Sequence, residues 1–188
     1  AVDAFQRSAS IEEKLGNLRG QAMVLNSLGS VLQRRGKFDE AVDSFQRSYD
    51  LLVKLDDLRG QAMVLNRLGG VLQRQGKFDE AMKALQPSFD ILKRLNDKIG
   101  LAMVHRMIGK TLLLNGDSAN AVAELIKSFE INEELKNSHG IGVVTTTLIK
   151  TLLQLNQREQ AISYCQRALL IDPNNRRILK LYDQLTES

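Results

Sequence analysis

Arginine and lysine recur in this chain where carboxylates do not. None of its 22 acidic residues falls within residues 18–38, 58–78, 98–116 or 138–158, whereas Arg34, Arg67, Arg74, Arg106, Lys110 and Lys150 all do. Guanidinium groups pair with carboxylates through two parallel hydrogen bonds, so these segments suggest capture of an acidic chain rather than bond-making chemistry. Asn26 and Asn66 recur forty residues apart and carry both a donor and an acceptor for a peptide backbone. Met23, Met63 and Met103 recur in the same way and offer adaptable apolar contacts.

Catalytic groupings are hard to assemble. His105 and His139 are the only histidines, and neither has a partner at zinc-ligand spacing. Cys165 is the single cysteine, which rules out an intrachain disulfide; it occupies the register of Phe45 and is expected to be a small buried hydrophobe. The glycines recur with a repeat and form no phosphate loop. The expectation is therefore no enzyme, no metal and no cofactor. A net charge of +4 is mild, and aromatic residues make up only 5% of the chain, with no tyrosine at the register of the basic residues. Nucleic acid is a poor partner on that ground. No apolar stretch could span a bilayer, and no leader resembles a signal peptide, so a cytoplasmic protein without a membrane partner is expected.

The elements that would position these residues follow from an internal repeat. "LRGQAMVLN" occurs at residues 18–26 and again at 58–66, and over 24 aligned positions the two copies differ only at Ser27/Arg67, Ser30/Gly70 and Arg35/Gln75. Rows of forty residues align Ala1, Ala41, Ala81, Ala121 and Ala161. Within a row, Leu25, Leu28 and Leu32, then Ala41, Phe45 and Leu52, recur at helical spacing, which predicts two helices per unit. Gly36, Gly76, Gly116 and Asn156 stand where a left-handed residue ends the first helix. Asn17, Asp57, Asp97 and Asn137 stand where the next first helix needs an N-cap. Asp39, Glu40, Asp79 and Glu80 open the second helices, where the macrodipole favours carboxylates. Pro87 falls mid-helix and predicts a kink or early break.

If Leu25, Leu28 and Leu32 face the stack, then Met23, Asn26, Ser27, Ser30, Gln33 and Arg34 lie on the opposite side at about 100° per residue. Two of the three differences between the twin segments lie on that side, which reads as a copied framework with a varied lining.

The stretch "LNSLGSVLQRRGKFDEAVDSF" resembles the tetratricopeptide repeat, through Leu28, Gly29, Leu32, Gly36, Phe38, Ala41 and Phe45 and their counterparts Leu68, Gly69, Leu72, Gly76, Phe78, Ala81 and Leu85. The forty-residue unit is similar to the longer-helix subtype of mitotic Leu-Gly-Asn adaptors and bacterial signalling arrays. The third row departs at Ser118 and the fourth at Ile149, Asn156 and Arg158. The resemblance implies an all-α fold, a right-handed superhelical solenoid of antiparallel helix pairs, with the first helices lining a concave surface.

On that reading residues 1–188 form one array. Residues 1–16 would be the second helix of a truncated repeat, 17–56, 57–96, 97–136 and 137–173 four helix pairs, and 174–188 a closing helix, the whole being a piece of a longer array. The expected function is a non-catalytic interaction scaffold of a signalling protein that holds an acidic or amphipathic peptide. Its groove would be lined by Met23, Asn26, Ser30, Gln33, Arg34, Met63, Asn66, Arg67, Gln73, Arg74, Arg106, Lys110, Thr146 and Lys150. The alternative is a structural, self-associating repeat domain using its open N-terminal end. The Lys and Asn set with which chaperone-binding relatives clamp a terminal carboxylate is not supplied by "NSLGS" or "NRLGG".

Overall fold

The computed structural model describes residues 2–187. Among them are ten helices and no strand: α1 (Val2–Lys14), α2 (Leu18–Arg34), α3 (Phe38–Lys54), α4 (Leu58–Arg74), α5 (Phe78–Arg94), α6 (Lys98–Leu114), α7 (Ser118–Glu134), α8 (Ser138–Gln154), α9 (Arg158–Ile171) and α10 (Arg176–Thr186). The chain forms two compact units, residues 1–96 with α1 to α5 and residues 97–188 with α6 to α10. In each unit consecutive helices pack on one another as an all-α stack of antiparallel pairs.

Helix ends follow the local signals. Asn17, Asp57, Asp97 and Asn137 each accept a hydrogen bond from the third backbone N–H of the helix they open. An asparagine cap carries an amide donor that an aspartate cap lacks, and the preceding helix supplies its acceptor. Asn17 Nδ2 donates to Glu12 Oε2 at 2.7 Å and Asn137 Nδ2 to Asn132 Oδ1 at 2.7 Å, whereas Leu52 and Leu92 hold that register before Asp57 and Asp97. Gly36, Gly76, Gly116 and Asn156 adopt φ of 76°, 74°, 87° and 58°. Lys37 N–H then reaches back to the Leu32 carbonyl at 3.0 Å, closing the Schellman turn. The second helices end on left-handed residues too, at Asp56, Asn96 and Lys136, where no glycine signals the end.

Pairs lock through small-to-large contacts. A Cβ added at Gly29 would sit 2.9 Å from the Phe45 ring, and one at Gly69 would sit 2.8 Å from Leu85, so the backbone of the first helix is in van der Waals contact with the second. In the fourth pair the bulk is exchanged: Ile149 replaces the glycine, Cys165 replaces the large partner, and both are fully buried. What reads as degeneracy in the sequence is a volume-conserving swap. Ser48, Ser88 and Ser128 add a repeated bond each, donating to the carbonyls of Ala22, Ala62 and Ala102 at 2.8, 2.9 and 2.7 Å.

Arg158 departs from the aromatic register for a comparable reason. Its Nε and Nη2 donate to the Leu185 carbonyl at 3.1 and 2.6 Å, tying α9 to the last turn of α10. Pro87 does not break its helix, because α5 runs uninterrupted from Phe78 to Arg94. Both Pro87 and Lys83, whose carbonyl it leaves without a donor, lie on the exposed side. The ring therefore crowds no neighbouring helix, and the kink or break read from sequence is overturned on the break.

Candidate peptide-binding surface

Along each first helix, positions four, seven and eleven residues after the methionine return to nearly one direction. In α2 these are Met23, Ser27, Ser30 and Arg34; in α4 they are Met63, Arg67, Gly70 and Arg74. Met23 and Met63 are 65% and 46% exposed, and Arg34, Arg67 and Arg74 are exposed as well. Each strip is thus apolar near the helix start and basic near its end, about 16 Å further on at ~1.5 Å per residue. In the second unit Met103 and Val143 continue the methionine register at 48% and 39% exposure, followed by the exposed Lys110 on α6 and Lys150 on α8.

Other sequence-derived site residues sit at the edge of the strip or beneath it. Gln33 and Asn26 are partly exposed, while Asn66 and Gln73 are buried at 7% and 5% exposure. Thr146 is also buried, with its hydroxyl donating to the Gly142 carbonyl of its own helix at 3.2 Å. At about 280–300° from the methionine these positions turn toward a neighbouring helix, which the opposite-face argument did not resolve. The Oδ1 atoms of Asn26 and Asn66 are buried and meet no hydrogen-bond donor among the described residues. Such an atom costs about 1–3 kcal/mol, and the cost recurs at one register in two repeats.

The differences between the twin segments have a physical origin inside the first unit. Arg67 Nη1 donates to Ser30 Oγ at 2.9 Å, and Gln75 Nε2 donates to Asp39 Oδ1 at 2.8 Å. All three differing positions therefore contribute a side chain to a bond from one repeat to the next, and Arg67 is shared between that bond and the surface. Arg34 and Arg74 have no partner among the described residues. Two cations near the starts of first helices are paired instead: Arg19 lies 3.6 Å from Asp57, and Lys98 pairs with Glu134 at 2.5 Å.

The titratable groups singled out in sequence have structural places. His105 Nδ1 lies 2.6 Å from Glu124 Oε2 between α6 and α7, and Lys127 Nζ lies 2.7 Å from Glu124 Oε1. The hydrogen bond with His105, reinforced by Lys127, holds the Glu124 carboxyl below its ordinary value against the opposing effect of burial. Burial pushes the Cys165 thiol up to about 11, so it is a packed thiol and not a nucleophile at neutral pH. No three His, Cys, Asp or Glu side chains among the described residues stand close enough to hold a metal ion, and no described helix is long and apolar enough to cross a membrane.

Two hollows on the second unit join residues singled out in sequence to others that were not. One, of about 160 Å³, opens between α6 and α8 beside Ile99, Met103, Arg106 and Val143. The other, of about 490 Å³, runs along α8 to the start of α10 and takes in His139, Thr147, Asn175 and Arg177. Ile99 and His139 share the register of Arg19 and Arg59, so extending the periodicity one turn earlier would have found them.

Family models described as tetratricopeptide repeat match residues 21–55, 60–134 and 150–175, together more than two thirds of the chain. The chain belongs to the tetratricopeptide-repeat family. A search of curated proteins finds no significant match. Among solved structures, this tetratricopeptide-repeat protein is similar to BtubC (BKLC) from P. vanneervenii, with a TM-score of 0.82 and 14% identity over 99% of this chain and 83% of that one. It is similar also to the apo form of RapI, with a TM-score of 0.85 and 18% identity over its whole length and 54% of that chain. A thermophilic TPR protein of Thermus thermophilus aligns end to end with a TM-score of 0.63 and 17% identity. Likeness at these identities is likeness of fold. Tetratricopeptide arrays in general are protein-interaction scaffolds, and that coarse role attaches to this repeat protein with its family.

Proposed function

We propose that this repeat protein holds an acidic or amphipathic peptide segment of a partner protein against its first helices, and that no catalysis is involved. One observation carries the reading: the outward strip of every first helix begins with an exposed apolar residue, bears at least one exposed cation further along (Arg34, Arg67 and Arg74, Lys110, Lys150), and belongs to a helix with no carboxylate. The carboxylates Asp39, Glu40, Asp79 and Glu80 belong to the first turns of the second helices and not to the strip. A cationic strip accelerates encounter with an acidic segment and selects against basic ones, while exposed methionines adapt to varied apolar side chains. The orphaned Asn26 and Asn66 amides fit the same reading, since unmet polar groups cluster where a ligand supplies the partner.

The test uses a displayed library of randomised peptides with blocked termini, selected on the intact chain. Acid-rich peptides are expected to be enriched, and Arg34→Glu combined with Arg74→Glu is expected to weaken them at least tenfold without moving the thermal midpoint, because neither arginine has a partner to lose. Enrichment of peptides without acids, or undiminished binding by the double variant, would remove the basic strip from the mechanism.

Self-association is a second reading, favoured by Ile11 and Leu15 at the end of α1, which are 56% and 72% exposed. Light scattering across a hundredfold concentration range is expected to show dimers that Ile11→Glu with Leu15→Glu abolishes. A monomer at every concentration ends that reading.

A further inference from the structure

Arg106 is out of keeping with the other cations of the first helices. Its side chain is half-buried, loss of water holds its pKa below the ordinary arginine value, and no acceptor among the described residues pairs with it. An arginine does not shed its proton in a protein, so the fold keeps a poorly solvated charge with no counter-ion, an arrangement that is costly unless something pairs with it.

The same side chain borders the 160 Å³ hollow, whose lining contains no carboxylate. Its rim is apolar and open: Ile99, Met103 and Val143 are 61%, 48% and 39% exposed. A volume of this size falls below the roughly 300–1,000 Å³ of small-molecule sites, so it suits one side chain delivered by a larger partner. The second hollow, which shares His139 and Val143 with the first, continues along α8 and gives the rest of such a partner a place to lie.

We infer that Arg106 is a carboxylate anchor: the Ile99–Met103–Val143 hollow takes one aliphatic or aromatic side chain of the bound peptide, and Arg106 pairs with an aspartate or glutamate close to it in the same peptide. This rests on the peptide-binding reading above and adds its specificity, an apolar residue next to an acidic one. Neither element suffices alone. A free anion would leave three apolar side chains in water, and a purely apolar segment would cover Arg106 without a partner, which costs more than it returns.

A double-mutant cycle on one of the selected library peptides tests it, read by titration calorimetry. The peptide is expected to carry an acid within one helical turn of a large apolar residue. Arg106→Gln is expected to weaken it at least tenfold, the peptide's own Glu→Gln change to weaken it by a similar factor, and the two together to cost no more than either alone. The thermal midpoint of Arg106→Gln is expected to stay level or rise, because no internal bond is lost. Losses that simply multiply overturn the anchor, as does a lowered midpoint with equal weakening of every peptide. Peptides that lose affinity to the Arg34→Glu and Arg74→Glu variant but ignore Arg106→Gln also overturn it while leaving the peptide-binding reading in place. A library that yields no binder overturns both.

Discussion

Phe129→Ala is expected to destabilise the second unit by about 3–5 kcal/mol, the upper range for truncating a buried aromatic. Phe129 is fully buried within the cluster that also holds Leu125, Ile141, Leu148 and Cys165. Tyr164 meets its ring edge-on with centroids 5.0 Å apart, and the Arg167 guanidinium lies 5.0 Å above Phe129 and 4.9 Å above Tyr164. Arg167 is held there by two hydrogen bonds to Glu133, at 3.0 and 2.5 Å. One ring thus joins α7, α9 and an ion pair.

The arginine's share is small, because Arg167 and Glu133 are about a third exposed and such pairs contribute about 1 kcal/mol or less. Arg167→Ala should accordingly cost about 1–2 kcal/mol once the ring contacts are included, and Phe129→Leu less than Phe129→Ala. Urea dependence of amide exchange in α7 and α9 of the full chain reads all three. A Phe129→Ala cost below about 1 kcal/mol would mean that the core refills the space, and the central place given to this ring would be wrong.

The architecture was legible in the sequence because helix signals repeat: caps, left-handed ends and apolar spacing all fall on a forty-residue register, and each reappears in the structure at that register. Departures from the register were harder, since each is half of a pair whose other half is distant in sequence. Ile149 makes sense only beside Cys165, Arg158 only beside the Leu185 carbonyl, and an asparagine cap only with its acceptor five residues earlier. The surface was legible at the strip centre, where Met23, Met63, Arg34, Arg67 and Arg74 are exposed. It was not legible at the edge, where a turn of about 60–80° buries Asn66, Gln73 and Thr146. Arg106 shares that edge register, and burial without a partner is a property that no reading of residue types alone supplies.

Pro87→Arg is expected to stabilise the first unit by about 2 kcal/mol. At this register α1, α3, α7 and α9 carry Arg7, Arg47, Lys127 and Arg167, so a basic side chain fits four sister helices. Proline inside a helix forfeits the bond to the carbonyl four residues earlier and costs about 3 kcal/mol. Against that, proline restricts the unfolded chain and returns about 0.4–1 kcal/mol, which leaves a net gain of about 2 kcal/mol for the replacement. Arginine is close to alanine in helix propensity, and the position is exposed, so no packing is disturbed. The restored N–H would donate to the Lys83 carbonyl, and amides of α5 should exchange more slowly. A variant no more stable than the parent would show that the proline ring and its effect on the unfolded chain are together worth as much as the bond it removes.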